Sequence, residues 1–288
     1  MMKPLLMLLR MYMPKDRAHL YVHALEESYN NVVWHDFSNQ SLIEVYVSNQ
    51  HKNLNEATLR QEVIFLLESH HLACPDILSI EKIEEKDWVT ITQEIMQPVE
   101  IGKFYIHSPK HEKNKDKINI LLEPGMAFGS GTHPTTKGCL QAMSALKASP
   151  KRILDMGCGS GILSVSAAKL FQTSVTAIDN DIFAVSATKT NAEINNVADK
   201  IAEQHGDGYK ALCEKDAFDL VLCNILAKPL TEMAPFLKKH LAPGGYAILS
   251  GLLDTQADEV ITAHKNCDLN LLTKVDIETW LTLVFNHA

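Results

Sequence analysis

Apolar and polar positions recur with different periods in the two parts of the chain, and the change falls near residue 87. Before it, short alternating or apolar runs rich in Val, Ile and Tyr predict strands at 5–11, 32–35, 42–47 and 76–83. Ile43-Glu44-Val45-Tyr46-Val47 is the clearest of these. Helical spacing covers 15–29 and 55–70; the second stretch opens on a capping Asn55 and sets Leu59, Val63, Leu66 and Leu67 on one face. The order βαββαβ is that of a small α+β, ferredoxin-like domain. From residue 118 strands and helices alternate. Strands are predicted at 118–122, 152–155, 174–179, 201–204, 218–224 and 246–251. Helices are predicted at 135–147, 162–170, 183–195, 228–240 (interrupted by Pro235) and 255–264. Two closing strands, 269–277 and 279–285, sit close enough for an antiparallel hairpin. Such alternation implies a parallel sheet covered on both faces, here Rossmann-like with a reversed last strand.

The fold class is therefore α/β, in three expected parts: a recognition domain over 1–86, a connecting region over 87–117, and a catalytic domain over 118–288. Within the connection, 103–107 reads as a strand. The charged run from Lys110 to Lys117 alternates in sign and reads as a solvated turn rather than a recognition patch.

Composition narrows the function without naming it. Of 288 residues, 46% are hydrophobic and 22% charged, enough apolar material for a proper core, which excludes collagen-like, disordered and disulfide-scaffold classes. The net charge of −8 speaks against a free-standing nucleic-acid binder and suits a basic protein partner or a small molecule. The apolar start is too short for a membrane span or a signal-peptide core. Six cysteines without a CxxC pair fit reduced thiols in a cytoplasm. His70, His71 and Cys74 lack a complementary ligand pair and read as a solvated helix end, so no metal is expected. Without long heptads, a monomer is expected.

The chemistry is carried by Ile153-Leu154-Asp155-Met156-Gly157-Cys158-Gly159-Ser160-Gly161-Ile162-Leu163, a strand, a glycine loop and a helix start. Glycines at alternate positions let backbone approach a ligand with no Cβ in the way. The next strand ends in Asp179, at the distance expected of a carboxylate that accepts from ribose hydroxyls; the alternative is a cap on the following helix, a duty Asn180 and Asp181 can share. A dinucleotide loop spaces its third glycine further on, to lie under a pyrophosphate. The shorter spacing here resembles class I S-adenosylmethionine methyltransferases. Asn224, ending strand 218–224, stands at the lip of the same cleft, as an acceptor for a target nitrogen or as a plain strand cap. Ile225 and Leu226 follow it where nucleic-acid amino methyltransferases carry two prolines and an aromatic ring, which favours an aliphatic amine over a flipped base. Pro134 is suited to open a helix with Thr135 and Thr136 in its first turn. Asp207, between two glycines, serves either an adenine contact or a turn.

The block Glu123-Pro124-Gly125-Met126-Ala127-Phe128-Gly129-Ser130-Gly131-Thr132-His133-Pro134-Thr135-Thr136, with the glycine loop and Asn224-Ile225-Leu226-Ala227, closely resembles the PrmA family. Its members methylate the eleventh protein of the large ribosomal subunit. The resemblance implies methyl transfer from S-adenosylmethionine to lysine and N-terminal amines of that protein, gripped by the first domain. It implies cofactor contacts at Thr136, Gly157, Gly159, Asp179 and Asn224, without a direct nucleic-acid or membrane partner. No catalytic residue is assigned; His133 is the one nearby candidate base. The competing readings are a lysine methyltransferase of another protein and a non-catalytic binding protein of the same fold.

Overall fold

The computed structural model describes residues 5–26, 28–29, 32–37, 40–48, 55–75, 77–84, 97–122, 131 and 133–288. The chain divides into two compact units, Met1–Ile95 and Met96–Ala288.

In the first unit the described elements run β1 (Leu5–Pro14), a short 3₁₀ turn, α1 (Ala18–Glu26), β2 (Val32–Asp36), β3 (Gln40–Ser48), α2 (Glu56–Ser69) and β4 (Ile77–Glu84). Their sheet order is β2-β3-β1-β4, antiparallel throughout. Met7, Leu9, Met11 and Met13 of β1 face the same core as Ile43, Val45 and Val47 of β3, together with Leu25, Leu59, Val63 and Leu67 of the helices. On the alternate positions Arg10 bonds to Glu44 and Glu81, and Glu44 also accepts from Tyr46. Asn55 caps α2 by accepting the Thr58 N–H at 3.0 Å. The helix expected over 15–29 is shorter, because Lys15–Arg17 forms the 3₁₀ turn and the buried positions all fall between Ala18 and Leu25.

The second unit starts inside the stretch expected to be a connection. Val99–Ile101 (β5) and Phe104–His107 (β6) form an antiparallel hairpin turned at Gly102, and β7 (Ile118–Leu121) runs parallel to β6. A three-residue strand such as β5 gives too short a run for periodicity to show. Then follow α3 (Pro134–Ala145), β8 (Arg152–Met156), α4 (Ile162–Phe171), β9 (Ser174–Asp179), α5 (Ile182–Ile194), β10 (Ile201–His205), β11 (Phe218–Asn224), α6 (Ala227–His240), β12 (Leu241–Leu253), α7 (Ala257–Lys265), β13 (Asn270–Ile277) and β14 (Trp280–Asn286). The seven-stranded sheet has the order β10-β9-β8-β11-β12-β14-β13; β14 runs antiparallel to both neighbours and the remaining pairs are parallel.

Alternation along β11 shows how the sheet is covered. Leu220 and Leu222 join one core with Ile153, Ile248, Val165 and Cys139, while Val221 and Cys223 join the other with Leu154, Leu249, Leu230 and Leu237. Two expectations need correction here. Pro235 does not interrupt α6: the helix continues from Ala227 to His240, its buried Leu230, Ala234 and Leu237 outweighing the one backbone bond that proline removes. β12 begins at Leu241 rather than 246, because Leu241 already pairs with Phe218 and the Gly244 and Gly245 backbone bonds to His287.

β7 is fastened by side chains. Asn195 receives the Leu121 N–H at 2.9 Å and donates to the Leu121 carbonyl at 2.6 Å, standing in for a neighbouring strand. Lys169 donates to Asn119 O and Asn195 Oδ1, and burial together with Lys113 pushes its ammonium down to about 8.

Candidate active site

The sheet order reverses at β8, between β9 on one side and β11 on the other, and a crevice opens there at the carboxyl ends of the strands. β8 runs into the glycine loop, where Gly157, Gly159 and Gly161 take φ of +74°, +55° and +77°. The N–H groups of Gly157 and Cys158 both donate to the Ile178 carbonyl, at 2.8 and 3.1 Å, and so tie the loop to β9.

Asp179 ends β9 facing this loop. Its Oδ2 accepts the Gly159 N–H and its Oδ1 the Asp181 N–H, each at 2.9 Å. Asp181 caps α5 through the Phe183 N–H, as expected, yet Asp179 is not thereby freed of local duty. The two backbone bonds fix the direction of its carboxylate; with about four acceptor sites on the group, two remain for a vicinal diol. Asp207 is exposed and pairs with Lys210 at 2.6 Å, a turn role.

α5 holds the loop from outside. Thr188 donates to the Gly159 carbonyl at 3.1 Å and Asn191 to the Ser160 carbonyl at 2.8 Å. A Cβ on Gly161 would lie 2.8 Å from the Thr188 backbone. Sequence reasoning missed both residues, although polar side chains three apart on a buried helix face are a readable signal.

Asn224 and Thr136 come together on the other side. Thr136 is fully buried in the first turn of α3, which Pro134 opens, and its Oγ1 lies 3.5 Å from Asn224 Nδ2. Asn224 Oδ1 is buried and has no hydrogen-bond partner among the described residues. An acceptor without a donor at the lip of the crevice is expensive to maintain unless something is brought to it. The side chain after it, Ile225, packs against Gly157, so the five candidate residues Thr136, Gly157, Gly159, Asp179 and Asn224 form one continuous rim.

His133 stands beside this rim as the cap of α3. Its Nδ1 accepts the Thr135 N–H at 3.3 Å and lies 2.7 Å from Thr135 Oγ1, while the ring meets the edge of Trp280. Burial, with Lys137 adding, pushes its imidazole down to about 4. The ring is therefore neutral near pH 7, weakly basic, and already engaged at Nδ1. Below the loop, Asp155 is almost wholly buried. Ser164 donates to its Oδ2 at 2.5 Å, its Oδ1 has no partner among the described residues, and burial pushes the carboxyl up to about 7. Burial likewise raises the thiols of Cys139, Cys158 and Cys223, with Asp155 adding to each. Among the described residues no group of three or more His, Cys, Asp or Glu is placed to hold a metal ion.

A family model described as ribosomal protein L11 methyltransferase (PrmA) matches residues 16–288. Proteins named ribosomal protein L11 methyltransferase from Rhodopseudomonas palustris and Brucella suis are 39% and 38% identical, over 72% and 74% of this chain and 72% and 76% of their own. The crystal structure of a ribosomal protein L11 methylase from Lactobacillus delbrueckii subsp. bulgaricus superposes with a TM-score of 0.62 at 28% identity, over 67% of this chain and 99% of that one.

Proposed function

Because the chain belongs to the ribosomal protein L11 methyltransferase family, we propose that it transfers methyl groups from S-adenosylmethionine to lysine and N-terminal amines of the eleventh protein of the large ribosomal subunit. The observation that carries this reading is Asn224, its Nδ2 against Thr136 Oγ1 and its Oδ1 without a partner among the described residues, at the rim of a glycine loop faced by a carboxylate. The residues fit the cofactor: the loop of Gly157 and Gly159 brings backbone to the crevice, Asp179, its carboxylate fixed against that loop, takes the ribose hydroxyls, and Thr136 closes the methionine side. S-adenosylmethionine, when bound, supplies the activated methyl group.

The chain's own residues then have one main task, alignment. A lysine amine, with a reference pKa near 10.4, reaches the neutral form more readily once desolvated in the crevice. Asn224 Oδ1 accepts one of its N–H groups and turns the nitrogen lone pair toward the methyl carbon. Ile225 and Leu226 offer an aliphatic wall, suited to a lysine stem and unsuited to stacking a base. We assign no dedicated base, since His133 is neutral, engaged at Nδ1 and weakly basic.

We read the first unit as a ferredoxin-like recognition domain: the βαββαβ order and the β2-β3-β1-β4 antiparallel sheet support this. A cytoplasmic monomer with a basic protein partner and no nucleic-acid partner completes the proposal; the net charge of −8 favours it. Among the described residues no helix is long and apolar enough to cross a membrane.

The test is intact-mass spectrometry of the unmethylated ribosomal protein after incubation with enzyme and S-adenosylmethionine. Mass should rise in methylene-sized steps, and Asp179→Ala should abolish the rise while weakening cofactor binding. No rise with the wild-type chain, cofactor binding being intact, refutes the ribosomal substrate.

A further inference from the structure

The turn that carries Asn224 rests on a neighbouring strand at a place where no side chain fits. Gly251, in β12, has φ +95°, and a Cβ there would lie 2.6 Å from the carbonyl carbon of Ile225, 3.0 Å from its nitrogen, and closer still to its oxygen. All three are backbone atoms of one residue, so no rotamer change relieves the overlap. The residue before it, Ser250, receives the Ile225 N–H at 3.1 Å. Ser250 is itself anchored through Oγ to the Leu281 carbonyl at 3.1 Å and to Thr282 Oγ1 at 2.8 Å. The register of β12 against β14 slips between Leu249 and Leu252, and this irregularity brings Ser250 and Gly251 under the turn. On the opposite side the Ile225 side chain fills the space a Cβ would take at Gly157.

Ile225 is thus held at three points: its N–H by Ser250, its carbonyl face by the bare α-carbon of Gly251, and its side chain by Gly157. We infer that Gly251 is a positioning residue for methyl transfer, acting through the Ile225 peptide to keep Asn224 Nδ2 beside Thr136 and so fix where its acceptor Oδ1 points. It touches neither cofactor nor target nitrogen. The inference rests on the reading of Asn224 as the nitrogen acceptor. A Cβ at Gly251 has to push the Ile225 peptide off β12, and a misplacement of that order is enough to spoil alignment while leaving Asp179 and Gly159, which bind on the far side of the loop, where they are.

The test compares Gly251→Ala with Gly244→Ala. Gly244 lies in the same strand at φ +75° with nothing within 4 Å of the place an added methyl would occupy, so it carries the left-handed backbone strain without the collision. Gly251→Ala should lose about 100-fold in kcat, with KM for the ribosomal protein and Kd for S-adenosylhomocysteine nearly unchanged. Gly244→Ala should keep wild-type kcat at a similar loss of Tm. Equal kcat in the two variants, or a parallel collapse of kcat and cofactor affinity in Gly251→Ala, overturns the proposal. If Gly251→Ala does not fold, Ile225→Ala loosens the third point without strain and should lower kcat at constant cofactor Kd; unchanged kcat then overturns the proposal. A crystal structure of Gly251→Ala decides the matter independently of turnover. Asn224 Nδ2 should move out of hydrogen-bond range of Thr136 Oγ1, and a separation still at 3.5 Å refutes the hold. A wild-type chain that methylates no ribosomal protein would sink the proposed function, and the crystal structure of the variant would still decide whether Gly251 holds the turn.

Discussion

Asp155→Asn should stabilise the cofactor-free second unit at high pH and do little at low pH. The carboxyl is buried, and among the described residues its Oδ1 has no partner and Ser164 alone donates to it, so the charged form is penalised and the group is pushed up from 3.8 to about 7. The folded state therefore holds a proton that the unfolded state has released between these values, and stability from this group falls as pH rises through that window. At about 1.4 kcal/mol per unit, the loss between pH 5 and pH 8 is about 3 kcal/mol. An asparagine of the same shape cannot ionise and escapes it. The opening free energy of this unit is measured by hydrogen exchange of the β8 and β11 amides. Asp155→Asn minus wild type should rise by about 3 kcal/mol from pH 5 to pH 8. A difference that is the same at both pH values means Asp155 is charged throughout, and refutes the argument from burial.

Two further variants probe the rim. His133→Ala should cost about 1 kcal/mol of stability near pH 7 by uncapping α3. The imidazole is depressed to about 4 in the folded chain, so the stability of the wild type falls as pH drops from 6.5 toward 4, by about 3 kcal/mol. The variant should lack this fall in acid unfolding, and its pH–rate profile should keep the wild-type shape; loss of most turnover at constant cofactor affinity would make His133 a base. Gly161→Ala sets a Cβ 2.8 Å from the Thr188 backbone at φ +77°. It should weaken S-adenosylhomocysteine binding in calorimetry at least about tenfold, the 1.4 kcal/mol equivalent of one left-handed non-glycine residue, and unaltered affinity would show that the loop tolerates the shift.

Much of this site was legible in the sequence because its parts lie on elements with strong periodicity. Strands 174–179 and 218–224 have the predicted bounds, and their last residues, Asp179 and Asn224, fall at the crevice because a strand end must. The glycine loop announced itself by composition. What stayed hidden depends on contacts between distant segments. Gly251 looked like an ordinary strand terminus, since nothing local tells that Ile225 lies on it. The spacing of Thr188 and Asn191 on one helix face is readable, but not what they hold, because their partners are carbonyls of a loop some thirty residues earlier. The burial of Asp155 likewise requires α3, α4 and β11 to be in place, and residue order alone could mark it only as the start of a motif. In the block 123–136, residues 123–130 and 132 lie outside the described residues.

Support for the Ile225 turn runs through Ser250 and Gly251 of β12 to Leu281 and Thr282 of the last strand, so it is complete only late in synthesis. β8 leaves the ribosome well before β11, its partner, and the support for Ile225 needs Ser250 of β12 and Thr282 of β14 as well. A nascent chain with β8, β9 and their helices already packed has the glycine loop but not its wall. The turn that carries Asn224 is therefore fully supported only once the C-terminal hairpin is paired to β12.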